Sequence, residues 1–179
     1  MTIEYLADRP EALPILARWQ HAEWGHIRPG DKLERRIVRL EGQMGRDAIP
    51  LTVVAFDGEE VLGSASLIEH DMDTRPELSP WLASVFVGPE YRRRGIASQL
   101  VRRIMAEAAR LEVPSLYLYT VHSEQLYAGL GWTFMERTVY GGHDVVIMTC
   151  AVAGIGDPGG GDAYSRPGSP IPATTPQQQ

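Results

Sequence analysis

At 179 residues, 44% of them apolar and 22% charged, the chain suits one domain with a proper hydrophobic core. A net charge of −6 argues against a general nucleic-acid-binding surface, and the single cysteine, Cys150, excludes an internal disulfide and a cysteine-built metal site. The opening MTIEYLADRPEALP lacks an apolar signal core, and no run approaches the roughly 18–20 apolar residues of a membrane span, so the expectation is a soluble, cytoplasmic protein with no membrane partner.

In chain order, residues 2–6 (TIEYL) read as a short opening strand. Residues 10–27, PEALPILARWQHAEWGHI, carry helical spacing through Leu13, Leu16, Ala17 and Trp24, with Pro10 close to the start. Residues 32–44, KLERRIVRLEGQM, place Leu33, Ile37, Leu40 and Met44 on one face of a second amphipathic helix, with Arg and Glu opposite. Residues 51–69 predict an antiparallel hairpin bent at Asp57-Gly58.

A polar loop, DMDTRPELSP, follows at 71–80. WLASVFV (81–87) reads as a strand stopped by Gly88-Pro89. Ile96, Leu100, Ile104, Ala108 and Leu111 fall on one stripe of a helix over 96–111, with arginines opposite. SLYLYTV (115–121) is a strand and SEQLYAGL (123–130) a short helix. WTFMERTVY and HDVVIMTCAV read as two strands around the turn Gly141-Gly142. This order predicts an α/β domain over 1–152: a mixed, mostly antiparallel sheet flanked by helices. The remainder, 153–179, is rich in Gly, Pro, Ser and Gln; it cannot bury enough surface to offset its ordering entropy, and reads as a disordered tail.

The stretch VFVGPEYRRRGIASQL, residues 85–100, draws attention within this frame. A strand handing over to a helix presents free backbone N–H groups and the positive end of the helix dipole, a natural partner for phosphate. Gly95 lets the backbone approach an anion closely, and Ala97 is small enough to do the same. Arg92, Arg93 and Arg94 add charge at that place. It is neither a P-loop, since GxxxxGK(S/T) is absent, nor a dinucleotide fingerprint, since GxGxxG is missing.

Arg92 to Ala97, RRRGIA, resembles the (Q/R)-x-x-G-x-(G/A) signature of the GNAT family of N-acetyltransferases, and EQLYAGLGW (124–132) resembles that family's second motif. The element order is also similar across about residues 2–150. The resemblance implies an acyl-CoA N-acyltransferase fold with a splayed strand pair, and acetyl-CoA as co-substrate with no metal. Its pyrophosphate would rest on the backbone of Arg93, Arg94, Gly95, Ile96, Ala97 and Ser98, with Arg92 among the auxiliary charges. The strand at Val85, Phe86 and Val87 would offer backbone groups to the pantetheine arm where it splays from SLYLYTV.

The activity so implied is direct transfer of an acetyl group to a primary amine of a small molecule, peptide or protein; the alternative is a non-catalytic acyl-CoA-binding module. Tyr127 stands at the position of the family's general acid, and the Val87 N–H would stabilise the oxyanion. His122 is a candidate base, beside Glu69, His70, Asp71 and Asp73. The family's frequent Asn, seven residues before its Tyr, is Thr120 here. Acceptor specificity would sit in the helix pair at 11–44 and the 70–81 loop. Trp19, Trp24 and Trp81 are candidate walls, though at least one is expected in the core. The acids Asp71, Asp73 and Glu77 would suit a cationic acceptor, Arg75 a carboxylate. A homodimer is compatible with the family, and no nucleic-acid partner is expected.

Overall fold

The structure, a computed structural model, describes residues 1–26 and 30–152. The predicted tail, and the end of the first predicted helix at Ile27, lie outside the described residues. Strand β1 (Thr2–Tyr5) is followed by a 3-10 turn and helix α1 (Leu13–Trp24), then α2 (Leu33–Glu41), β2 (Leu51–Asp57), β3 (Glu60–Ile68) and β4 (Trp81–Val87). Helix α3 (Ile96–Arg110), β5 (Ser115–Thr120), α4 (Glu124–Ala128), β6 (Thr133–Tyr140) and β7 (His143–Ala151) complete the order. Every element expected from the residue pattern is present.

The seven strands form one sheet in the order β1-β2-β3-β4-β5-β7-β6, antiparallel throughout except for the β4–β5 pair. Gly141 and Gly142 both sit at positive φ, +56° and +80°, which is why a Gly-Gly pair closes the β6–β7 hairpin. Helix α3 lays Ile96, Leu100, Val101, Ile104 and Ala108 on one face of the sheet, against Val53, Ala65, Leu82, Leu116 and Met148. Each fully buried aliphatic side chain of that stripe contributes about 1.5–3 kcal/mol relative to exposure.

Helices α1 and α2 cover the other face over β2 and β3, where Leu13, Leu16 and Leu40 meet Val54, Phe56 and Val61. The polar loop before β4 covers the same face further along, Met72 and Leu78 closing over Trp81, Val145 and Ile147.

Two details depart from the pattern. Helix α2 ends at Glu41, and Met44 joins the same core from a bridge to Leu51 rather than from a further helical turn. In β4 the pairing slips: Ser64 faces Phe86 while Ser66 faces Ala83, so β4 holds one extra residue. Ser84 stands at φ +52°, in the left-handed region that a non-glycine residue rarely visits. Such a bulge bends a strand and strengthens its twist, and here it immediately precedes the Val85–Val87 segment.

Helix α3 is tied to the first strand through a buried acid. Glu107, with only 6% of its side chain exposed, accepts hydrogen bonds from Arg103 Nε at 2.7 Å and Arg110 Nε at 2.8 Å. Arg103 also donates to the Ile3 carbonyl at 3.1 Å. Burial alone would raise the Glu107 pKa, but the hydrogen bonds from Arg110 and Arg103 outweigh it and hold the carboxyl below its usual 4.5. A depressed folded pKa stabilises above the unfolded value and is lost as pH falls through the folded one. Glu107→Gln should therefore cost about 1–2 kcal/mol at neutral pH. The gap from wild type should shrink as pH falls below 4.5, read as thermal unfolding midpoints across the acid range.

Candidate active site

β4 and β5 part almost as soon as they meet. They share one registered pair, Trp81 with Tyr117, beside a hydrogen bond from the Tyr117 N–H to the Pro80 carbonyl at 3.1 Å. Beyond that point each strand keeps only its outer partner, β3 for β4 and β7 for β5. Gly88 donates to the Leu62 carbonyl of β3 at 2.9 Å, so strand alternation turns the Val87 N–H the other way, toward the gap. The expected splayed pair is thus present, and its open end lies where the β4–α3 loop begins.

That loop is shaped by close packing at Gly88. A Cβ there would stand 2.9 Å from Tyr91 Cδ2 and 3.2 Å from Trp19 Cη2. Past the 3-10 turn Pro89–Tyr91, Arg93 and Gly95 both adopt left-handed conformations, at φ +62° and +76°. The first bond of α3 in this stretch runs from the Gln99 N–H to the Gly95 carbonyl at 3.2 Å. The N–H groups of Arg93 to Ser98 have no backbone acceptor among the described residues. A Cβ on Gly95 would have no neighbour within 4 Å among the described residues beyond those next to it in the chain. The loop thus turns a run of N–H groups without backbone acceptors to the start of α3, where the positive end of a helix dipole lies.

The three arginines do not act as one cluster. Arg93 is exposed. Arg94 donates to the Glu90 carbonyl at 3.3 Å and lies 5.8 Å over the Tyr91 ring, whose hydroxyl bonds to Glu60 and is pushed up to about 12 by that bond. Arg92 turns to the α1 side, donating to the Val87 carbonyl at 3.1 Å and standing 3.5 Å from Glu23.

EQLYAGLGW forms helix α4 and the turn into β6. The Thr120 hydroxyl accepts a hydrogen bond from the Ser123 N–H at 3.0 Å, and the Ser123 carbonyl in turn accepts from Leu126 and Tyr127. Thr120, which departs from the family's Asn, therefore anchors the start of α4. Tyr127 is 8% exposed and packs edge-on against Trp132, ring centroids 6.2 Å apart. Its hydroxyl has no hydrogen-bond partner among the described residues, and burial pushes its pKa up to about 12. The phenol therefore keeps its proton across the neutral range, as a proton donor must.

Other predicted residues are distributed differently. Trp81 is wholly buried, its indole N–H donating to the Leu78 carbonyl at 2.7 Å, so it is the core member of the tryptophan trio. Trp19 and Trp24 both pack on Phe86 of β4, at 5.5 and 5.9 Å between ring centroids. Arg75 is paired with Glu136 of β6, which commits it within the protein rather than leaving it for an acceptor carboxylate. His122, Glu69, His70 and Asp73 are exposed, and among the described residues no hydrogen bond joins His122 to Tyr127. Glu23 was not anticipated; as one acid on an amphipathic helix it carries no distinguishing signal in the sequence.

A sheet opened between two parallel strands, with a backbone cradle at its mouth, defines an acyl-CoA N-acyltransferase fold. Comparison with solved structures agrees. The aminoglycoside 6'-N-acetyltransferase from Enterococcus faecium aligns with a TM-score of 0.67 at 17% identity, over 88% of this chain and 100% of its own. An aminoglycoside 6'-N-acetyltransferase complexed with coenzyme A gives 0.68 at 16% identity, over 88% and 100%. The yncA protein of Salmonella typhimurium, with its cofactor acetyl-CoA, gives 0.64 at 19%, over 93% and 97%. At such identities these neighbours speak to the fold. No curated protein matches the sequence. A sequence model of the Acetyltransferase (GNAT) family matches residues 13–132. The chain belongs to the GNAT acetyltransferase family, whose co-substrate is acetyl-CoA.

Proposed function

We propose that the protein transfers the acetyl group of acetyl-CoA to a primary amine by direct attack within a ternary complex. The observation that carries this reading is the β4–β5 split, beside N–H groups of Arg93 to Ser98 that have no backbone acceptor among the described residues. Unpaired backbone in a sheet interior is costly unless something takes its bonds, and pantetheine amides are suited to that. The residues fit the cofactor. The pyrophosphate would take the N–H groups of Arg93, Arg94, Gly95, Ile96, Ala97 and Ser98, and the pantetheine the strand at Val85, Phe86 and Val87.

In this reading the neutral amine attacks the thioester carbon and the carbonyl oxygen becomes an oxyanion. The Val87 N–H, directed into the gap, is the donor for that charge. As the C–S bond breaks, Tyr127 gives its proton to the departing thiolate. His122, just past the end of β5, is the proposed base for the ammonium, with Glu69, His70, Asp71 and Asp73 near the end of β3 as alternatives. The acceptor would approach past Trp19 and Trp24. Exposed acids Asp73 and Glu77 favour a cationic amine, the class to which the aminoglycosides named for the neighbours belong.

The test is release of CoA thiol from acetyl-CoA with a panel of amines: an aminoglycoside, a polyamine, free amino acids and peptides with free N-termini. Amine-dependent release, with acetylated product seen by mass spectrometry, is the expected result. CoA binding by calorimetry without turnover on any amine would instead indicate an acyl-CoA-binding module.

A further inference from the structure

We propose that Arg92, the first residue of the basic triplet, is a positioning residue that locks α1 onto the end of β4, and not a ligand of the CoA pyrophosphate. This rests on the reading of the β4–β5 gap as the cofactor cleft. Among the described residues the guanidinium has three polar or ring contacts, all with groups of α1 and β4. Its Nε donates to the Val87 carbonyl at 3.1 Å, its Nη2 stands 3.5 Å from Glu23 Oε2, and its centre lies 5.6 Å from the Phe86 ring.

Phe86 is the shared contact of this group. Trp19 and Trp24 reach it from α1, while Arg92 reaches it from the loop. Trp19 also touches the loop at Gly88, where an added Cβ would come within 3.2 Å of the indole. Trp24 lies 5.9 Å from the Arg36 guanidinium, and Arg36 is held by Asp31 through a 2.7 Å bond. A line of packed groups therefore runs from the α2 helix through Trp24 and Phe86 to the strand proposed to hold the pantetheine.

The magnitudes say which contact matters. Arg92 and Glu23 are each nearly half exposed, 47% and 45%, so their ion pair alone is worth little. The carbonyl bond and the ring contact depend on the planar guanidinium, which lysine does not reproduce. An anion ligand and a positioning residue therefore respond differently to Arg92→Lys. Lysine keeps the charge a phosphate needs but loses the geometry that seats Phe86.

The experiment uses the full chain labelled with 5-fluorotryptophan, its four tryptophan signals assigned by single Trp→Phe variants. Arg92→Ala and Arg92→Lys are expected to shift the Trp19 and Trp24 resonances while those of Trp81 and Trp132 stay in place as the control for folding. CoA titrated calorimetrically into both variants should bind within about threefold of wild type. Glu23→Gln should produce a smaller shift of the same two signals. A tenfold loss of CoA affinity in Arg92→Ala that Arg92→Lys restores would overturn the proposal and make Arg92 a phosphate ligand; unmoved Trp19 and Trp24 signals would overturn it equally. Wild-type protein that binds no CoA would sink the acetyltransferase reading instead, and the tryptophan signals would then decide the α1 lock on their own.

Discussion

Tyr127→Phe is expected to lower kcat by about 100-fold or more, the range over which a positioned proton donor acts, while the acetyl-CoA Kd moves less than about threefold. The substitution removes one oxygen and leaves the ring in place. Contact with Trp132, at 6.2 Å between centroids, and the α4 backbone bonds of Tyr127 should survive. Because the hydroxyl has no hydrogen-bond partner among the described residues, losing it strands no bonded group there, and the unfolding midpoint should stay level or rise slightly.

The pH dependence carries the same information. Burial lifts the phenol to about 12, so between the ordinary 10.0 and that value the folded state holds a proton that the unfolded state releases. That contribution to stability is complete below pH 10 and lost as pH climbs toward 12. A kcat profile limited by Tyr127 should accordingly show no alkaline limb below about pH 10. Steady-state rates, calorimetric CoA binding and melting curves on one preparation separate the roles: an equal fall in kcat and CoA affinity would mark Tyr127 as a packing residue.

Much of this arrangement was legible because it rests on periodicity and on turn chemistry. The stripe Ile96, Leu100, Ile104, Ala108 reads as one helix face in the sequence and is the buried face of α3. Gly141-Gly142 reads as a hairpin turn and is one. Local pattern carries such elements, since each residue's place follows from its near neighbours.

What was not legible depends on distant partners or on one backbone angle. Nothing in WLASVFV marks Ser84 for a left-handed conformation, yet that residue is one of the two at which β4 slips against β3. Trp81 could not be told from Trp19 and Trp24 by type, and only the fold of the 72–78 loop over β4 makes it core. Arg75 and Glu136 meet across 61 residues of chain. The triplet Arg92, Arg93 and Arg94 reads as one basic cluster, whereas the backbone turn at Arg93 sends Arg92 to α1 and Arg94 back onto Tyr91. Thr120 reads as the loss of a family Asn; in the fold its hydroxyl bonds the turn that launches α4.

Gly95→Glu is expected to raise the acetyl-CoA Kd by about 100-fold or more, with a modest loss of stability. Two effects are combined in this substitution, and Gly95→Ala separates them. Gly95 sits at φ +76°, where any L side chain is strained by about 1–2 kcal/mol, and both variants carry that cost. In neither variant does the new Cβ come within 4 Å of a described atom beyond its chain neighbours. Only the carboxylate places a negative charge at the N-terminus of α3, in front of the N–H groups proposed to hold a pyrophosphate. Two like charges about 4 Å apart repel by about 4 kcal/mol at the effective dielectric of a protein surface, more than a 100-fold change in affinity requires. Gly95→Ala should thus bind CoA several-fold more weakly than wild type, and Gly95→Glu far more weakly still, with similar melting temperatures in the two variants. Calorimetry with CoA against dephosphorylated pantetheine locates the effect, since a fragment without the pyrophosphate should be nearly indifferent to the added carboxylate. Unchanged CoA affinity in Gly95→Glu would remove the pyrophosphate from this loop.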